Sequence, residues 1–144
     1  MSGRRFVDTN VLVYAHDSSA GPKHDRAASL VEDLWESGDG VISTQVLQEL
    51  CVSLQRKVAS PRTTEEIGNL IRDYLSWSVI INTPDAIVDA LATQQRYQLS
   101  FWDALIVCAA ESSGASLLYS EDLSHGQTYG SVQVVNPFGA RSDI

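Results

Sequence analysis

Residues 4–10, RRFVDTN, set an apolar pair, Phe6–Val7, directly before an acid and two turn-forming polar residues. A brief apolar run bounded by polar residues reads as a buried strand. The same pattern returns at Gly40–Ser43, Ser78–Ile81, Ser116–Tyr119 and Val132–Val135. Helical spacing fills the intervals. Ala27, Leu30, Val31, Leu34 and Trp35 form one apolar stripe, and Ile67, Leu70, Ile71, Tyr74 and Leu75 another. A helix carrying Ile87, Val88 and Leu91 opens at Thr83-Pro84, a capping residue followed by proline at the first helical position. A last helix, apolar on nearly every side at Ala104–Ala110, runs from Ser100 to Ser113 and stops at Gly114. Strands alternating with helices predict an α/β fold with a short, mostly parallel central sheet flanked by helices on both faces. No repeat, low-complexity tract or linker interrupts residues 1–144, which predicts a single domain.

In such a sheet the ligand crevice lies beyond the carboxyl ends of the strands. Asp8 follows the first strand, Asp122 comes just after Ser116–Tyr119, and Asp103 stands in the first turn of the most apolar helix. Pattern alone puts three acids at one rim. Each also has an ordinary structural role open to it. Asp8 with Thr9 and Asn10 would cap a turn. Asp103, three residues after Ser100, resembles the acid of a capping box and suits the positive end of the helix dipole. Ser120-Glu121-Asp122 would serve as a polar loop, and either acid is a candidate there. A fourth acid, Glu49, lies in STQVLQEL (43–50), off the centre of the stripe Val46, Leu47, Leu50, Cys51 and Leu54. It shares its face with Gln45, Val52 and Ser53, and its neighbours three and four residues ahead offer no ion pair. A solvated side chain is its ordinary role. If the four acids converge they repel one another, and a divalent cation is the obvious neutraliser of such a group. That combination points to metal-dependent chemistry on phosphate esters.

At 144 residues the chain is long enough to bury roughly two-thirds of its unfolded surface. A hydrophobic fraction of 44% with 19% charged residues excludes a disordered chain. No apolar run approaches the ~18 residues of a membrane span. No apolar leader precedes Asp8, so the expected compartment is the cytoplasm. Cys51 and Cys108 sit in helical apolar patterns without zinc-ligand spacing and read as reduced core thiols. His16, His24 and His125 share no metal-ligand spacing either; His125, close to Asp122, is the candidate for a substrate contact. The net charge of −8 runs against the habit of nucleic-acid binders, which neutralise phosphates with Lys and Arg. It is compatible with binding through a metal and a local basic patch, or with a basic protein partner. Arg56, Lys57 and Arg62 are the densest basic group and Lys23, His24 and Arg26 the second, each also an ordinary solvated helix end.

DTNVLVYA (8–15), Glu49 in STQVLQEL, SFWDALIV (100–107) and LLYSEDLSHG (117–126) with VVNPF (134–138) resemble the four acidic motifs of PIN-domain ribonucleases. The resemblance runs in the family's order and spacing over nearly the whole chain. Within that family it is nearest to the compact VapC toxins of bacterial toxin–antitoxin pairs. It implies a PIN-like fold whose acids meet in one pocket and bind Mg²⁺ or Mn²⁺. By position, Asp8 and Asp103 would be the principal metal ligands, with Glu49 and Asp122 completing the catalytic cluster directly or through water. Asn10 and Ser120 match supporting polar positions. The fourth motif of the family usually reads Thr/Ser-x-Asp, which favours Asp122 over Glu121. The resemblance further implies endonucleolytic hydrolysis of RNA, a cognate antitoxin whose basic segment reaches the acidic pocket, and a homodimer. Apolar helix faces left over from the core would serve those contacts, with Trp35 and Trp77 near helix ends as contributors or as ordinary core residues.

Other classes fit less well. A phosphotransferase of the haloacid dehalogenase type wants a second Asp two residues after the first, where this chain has Asn10. A receiver module wants a late Lys, and the last Lys here is Lys57. The remaining rival is a PIN-like module without catalysis that binds only RNA or an antitoxin, against which the presence of all four acids argues.

Overall fold

Adjacent residues of a strand face opposite sides of its sheet, so two consecutive buried residues mean that both faces are covered. Phe6 and Val7 are both fully buried, as is Ile42 beside Val41 on the next strand. The computed structural model, which describes residues 3–139, accordingly has a central sheet between helices. Its strands are β1 (Arg5–Val7), β2 (Gly40–Ser43), β3 (Ser78–Ile80), β4 (Leu117–Tyr119), β5 (Thr128–Tyr129) and β6 (Val132–Val135), in the order β3-β2-β1-β4-β6-β5. Every pairing is parallel except β5 with β6. The helices are α1 (Thr9–Ala15), α2 (Pro22–Ser37), α3 (Thr44–Arg56), α4 (Thr64–Tyr74), α5 (Pro84–Tyr97) and α6 (Phe101–Ser112). Among the described residues no helix is long and apolar enough to cross a membrane.

The strands expected from the apolar runs are present within a residue of their expected ends, and Ile81, past the end of β3, is 70% exposed. Two elements differ from expectation. Thr9 and Asn10, expected in a turn, instead open α1, with Asp8 as its N-cap. Thr9, Val11 and Val13 are β-branched, and seven residues make a marginal helix in isolation. Fully buried Val11 and Leu12 stabilise it, at about 1.5–3 kcal/mol each, by packing α1 against α2 and α3. The two-residue strand β5 turns back along β6 through Gly130, whose φ is +59°, and is too short to leave a sequence pattern.

Ile87, Val88 and Leu91 of α5 do not join the core; all three are largely exposed. The helix instead buries Ala90 against Ala104 and Leu105 of α6. Trp77 is buried, whereas Trp35 is 41% exposed and leans on Tyr74 and Trp77. Cys51 and Cys108 are free thiols, but half-buried rather than fully in the core.

Candidate active site

The register of β1 on β4 sets Val7 opposite Tyr119, and the Asp8 N–H donates to the Tyr119 carbonyl at 2.9 Å. The next residues on the two strands, Asp8 and Ser120, therefore leave the sheet side by side. From β1 the sheet extends through β2 and β3 on one side and through β4 and β6 on the other. The pair thus marks the switch point at which open α/β sheets bind ligands. Ser120 Oγ donates to Asp8 Oδ2 at 2.8 Å, and Asp8 Oδ1 accepts the Thr9 N–H at 2.7 Å. Both bonds favour the ionised carboxylate. Burial opposes them: Asp8 is 4% exposed. Desolvation, with smaller contributions from the Asp122 and Glu49 charges, pushes its pKa from 3.8 up to about 7.

Asn10, the second residue of α1, ties two acids together. Its Nδ2 donates to Asp122 Oδ2 at 3.1 Å and lies 3.5 Å from Asp8 Oδ2, while its Oδ1 accepts the Glu121 N–H. Ser120 Oγ also accepts the Asp122 N–H at 3.2 Å, fixing the turn that presents this acid. Asp122 itself is exposed. Glu121 turns away toward Tyr14 and Lys23, accepting a 2.8 Å bond from the tyrosine hydroxyl and pairing with the lysine ammonium. His125 is exposed, and its Nδ1 accepts the Asn136 N–H. Neither faces the other acids as Asp122 does.

Ser43, the last residue of β2, caps α3 by accepting the Val46 N–H. Glu49 lies farther along that helix, and its carboxylate is held at both oxygens rather than left in solvent. Thr9 Oγ1 donates to Oε1 at 2.7 Å, and Gln45 Nε2 donates to Oε2 at 3.2 Å. Neither partner was singled out as functional in the sequence. Gln45 was findable, since it lies four residues before Glu49 on the same helix face; Thr9 comes from another element. Gln45 is 4% exposed, and its Nε2 also reaches the Trp102 carbonyl at 3.3 Å, linking α3 to the first turn of α6. There Ser100 caps the helix by accepting the Asp103 N–H. The Asp103 carboxyl is half-buried, and burial, then Asp122, then Glu49 raise its pKa against the lowering influence of Ser100.

The charges acting on Asp8 and Asp103 are thus other carboxylates, Asp122 and Glu49 in both cases. The four acids share one neighbourhood. They do not close into a cage: among the described residues no three His, Cys, Asp or Glu side chains form a ready-made metal-ligand group. Beside them opens a cleft of about 710 Å³, lined in part by Thr9, Asn10, Gln45, Glu49, Trp102 and Asp122, with Lys57 as the one cation among its lining residues. Of the two basic groups in the sequence, only the first contributes to this lining.

The profile of the PIN domain matches residues 5–130. The chain belongs to the PIN-domain family. Among similar proteins, Ribonuclease VapC24 of Mycobacterium tuberculosis is 23% identical over 138 residues, covering 91% of this chain and 94% of the relative. Solved structures share the fold. A toxin–antitoxin complex from Klebsiella pneumoniae matches with a TM-score of 0.67 at 19% identity, over 93% of this chain and 98% of its own. The sarcin-ricin loop cleaving toxin VapC20 of Mycobacterium tuberculosis matches with a TM-score of 0.64 at 24% identity, over 82% and 89%.

Proposed function

We propose that the chain is a divalent-metal-dependent endoribonuclease, the toxin of a toxin–antitoxin pair, built as one cytoplasmic nuclease domain. The observation that carries this reading is the group of four carboxylates in which Glu49 of α3 and Asp122 act on the charge of both Asp8, just past β1, and Asp103 of α6. A buried acid surrounded by like charges is costly without a cation, and all-oxygen donors suit a hard one. The lack of a three-acid cage is no obstacle for Mg²⁺, which uses one or two carboxylates and keeps waters and substrate phosphate as its other ligands. Asp8 and Asp103 would hold the metal, with Glu49 and Asp122 direct or through water. When bound, Mg²⁺ or Mn²⁺ would supply charge neutralisation and Lewis acidity to a bridging phosphate.

The chain's own residues do the remaining work. Ser120, Thr9 and Asn10 keep the Asp8 and Asp122 carboxylates oriented. Glu49, fixed by Thr9 and Gln45, or Asp122 would orient the attacking water and accept its proton. The ribonuclease name of the VapC24 relative and the toxin–antitoxin complex among the solved neighbours support RNA as substrate and an antitoxin as partner. The exposed Ile87, Val88 and Leu91 of α5 offer an apolar surface for a homodimer.

Purified chain is incubated with total RNA and Mg²⁺ or Mn²⁺, with EDTA, and as the Asp8→Asn variant. Discrete fragments that require metal and disappear in the variant are expected. RNA left intact in every lane by folded, antitoxin-free protein would instead mark a binding module without catalysis.

A further inference from the structure

We propose that Trp102 is the platform on which an unpaired RNA base stacks beside the acids, making it a substrate-positioning residue of the nuclease reaction; this rests on the ribonuclease reading above. Trp102 lines the cleft, precedes Asp103 in the first turn of α6, and is 61% exposed. Trp35, the other tryptophan at the surface, rests on the rings of Tyr74 and Trp77. Trp102 has an edge-on contact to Phe101, with ring centres 5.1 Å apart.

Its backbone is fixed to the acid cluster. Gln45 Nε2 donates both to the Trp102 carbonyl and to Glu49 Oε2, at 3.3 Å and 3.2 Å. With both contacts made to acceptors, the amide orientation follows from the network. Gln45 is buried, so this strap sets the start of α6 relative to Glu49 without depending on solvent. A base seated on the indole would therefore stand at a set distance from the carboxylates, as positioning a phosphodiester for attack requires.

Across the cleft from Val13, Tyr14 and Asp17, the α3 side of the lining favours a nucleotide over a protein side chain. Beside Val52, the same wall carries Gln45, Gln48, Ser53 and Lys57, which are amides, a hydroxyl and a cation suited to base edges and a phosphate. For a protein partner, the exposed Ile87, Val88 and Leu91 of α5 offer a separate apolar surface. Stacking on an aromatic side chain tolerates any base, so Trp102 supplies affinity and placement rather than a sequence code.

The test uses Asp8→Asn chain, whose RNA is expected to remain uncut, titrated with short unstructured oligoribonucleotides and followed by indole fluorescence. Base stacking predicts quenching that is lost when Trp102→Phe is added. It also predicts roughly 5- to 150-fold weaker binding for Trp102→Ala, largely rescued by Trp102→Phe. In the chain with Asp8 restored, Trp102→Ala should raise KM by a similar factor, with Tm and sedimentation unchanged. Unchanged Kd and KM in Trp102→Ala would overturn the proposal. So would an effect confined to oligomeric state, which would make the indole a protein contact. If the parent chain cleaves nothing, the nuclease reading fails by itself. The titration still decides on Trp102 as a base platform, because absent RNA binding or unaltered quenching rejects the stacking contact, and loss of quenching retains that contact without a role in cleavage.

Discussion

Burial and hydrogen bonding pull the Asp8 carboxyl in opposite directions, and burial wins. An acid whose pKa is raised by folding takes up protons as the chain folds. Its favourable contribution is complete below the unfolded pKa near 3.8 and is lost as pH rises through about 7. His16 does the opposite. Burial, then the Arg62 and His24 charges, lower its pKa from 6.5 to about 4, and its Nε2 sits 2.7 Å from the Tyr74 hydroxyl. Its contribution is complete above 6.5 and is lost as pH falls through about 4. In metal-free protein the two slopes offset each other over nearly the same window. Asp8→Asn in EDTA should remove the Asp8 slope that opposes that of His16, so that stability rises more steeply from pH ~4 to ~7 than in the parent, against the remaining opposing slope of Asp103. The variant should be more stable than its parent at neutral pH, with a ceiling on the order of 4 kcal/mol. Thermal melts across that range check this, and a variant less stable than its parent at pH ~7.5 would mean that the folded protein stabilises the Asp8 anion after all.

At the scale of elements, β2 has to pass closely under an aromatic ring. A Cβ on Gly40 would lie 2.6 Å from the Trp77 ring, and Trp77 is wedged against Trp35 and Tyr74. Gly40→Ala should therefore cost about 1–3 kcal/mol by overpacking. Because β2 leads straight into α3, a shift of the strand would also displace Glu49, whereas relief through Trp77 alone would not. Denaturant midpoints measure the first effect, and cleavage rates well below the melting transition separate the two. Strands β1 to β4 and β6 were legible because each is a brief apolar run between polar residues, and α6 because it is apolar nearly all round; β5, two residues long, was not. Helix α1 was hidden by its β-branched residues, since tertiary burial of Val11 and Leu12 outweighs their weak helix propensity. The acids could be picked out one by one. Their mutual arrangement could not, because the Asp8–Ser120 bond depends on β1–β4 register and the Thr9–Glu49 bond on how α1 packs against α3.

Across the whole molecule, a net charge of −8 opposes the approach of RNA, and the cleft offers Lys57 as the one cation among its lining residues. Affinity of most nucleic-acid binders falls steeply with salt because each neutralised phosphate releases counterions, with a slope of about −0.7 per contact for single strands. One contact therefore predicts only about threefold weaker binding between 50 and 200 mM salt. Screening of the general repulsion works the other way and flattens the dependence further. The expected behaviour is a KM for RNA that changes by about threefold or less over that range, with Lys57→Ala removing most of what remains. Steady-state cleavage at fixed Mg²⁺ and varied monovalent salt measures it. A loss of a hundredfold or more would place several Lys or Arg contacts on the RNA. The substrate path would then have to extend beyond the cleft toward Arg56 and Arg62, or toward Lys23 and Arg26. A shallow dependence would instead support a bound metal and the cleft as the main source of affinity, the route by which so acidic a chain would hold a polyanion.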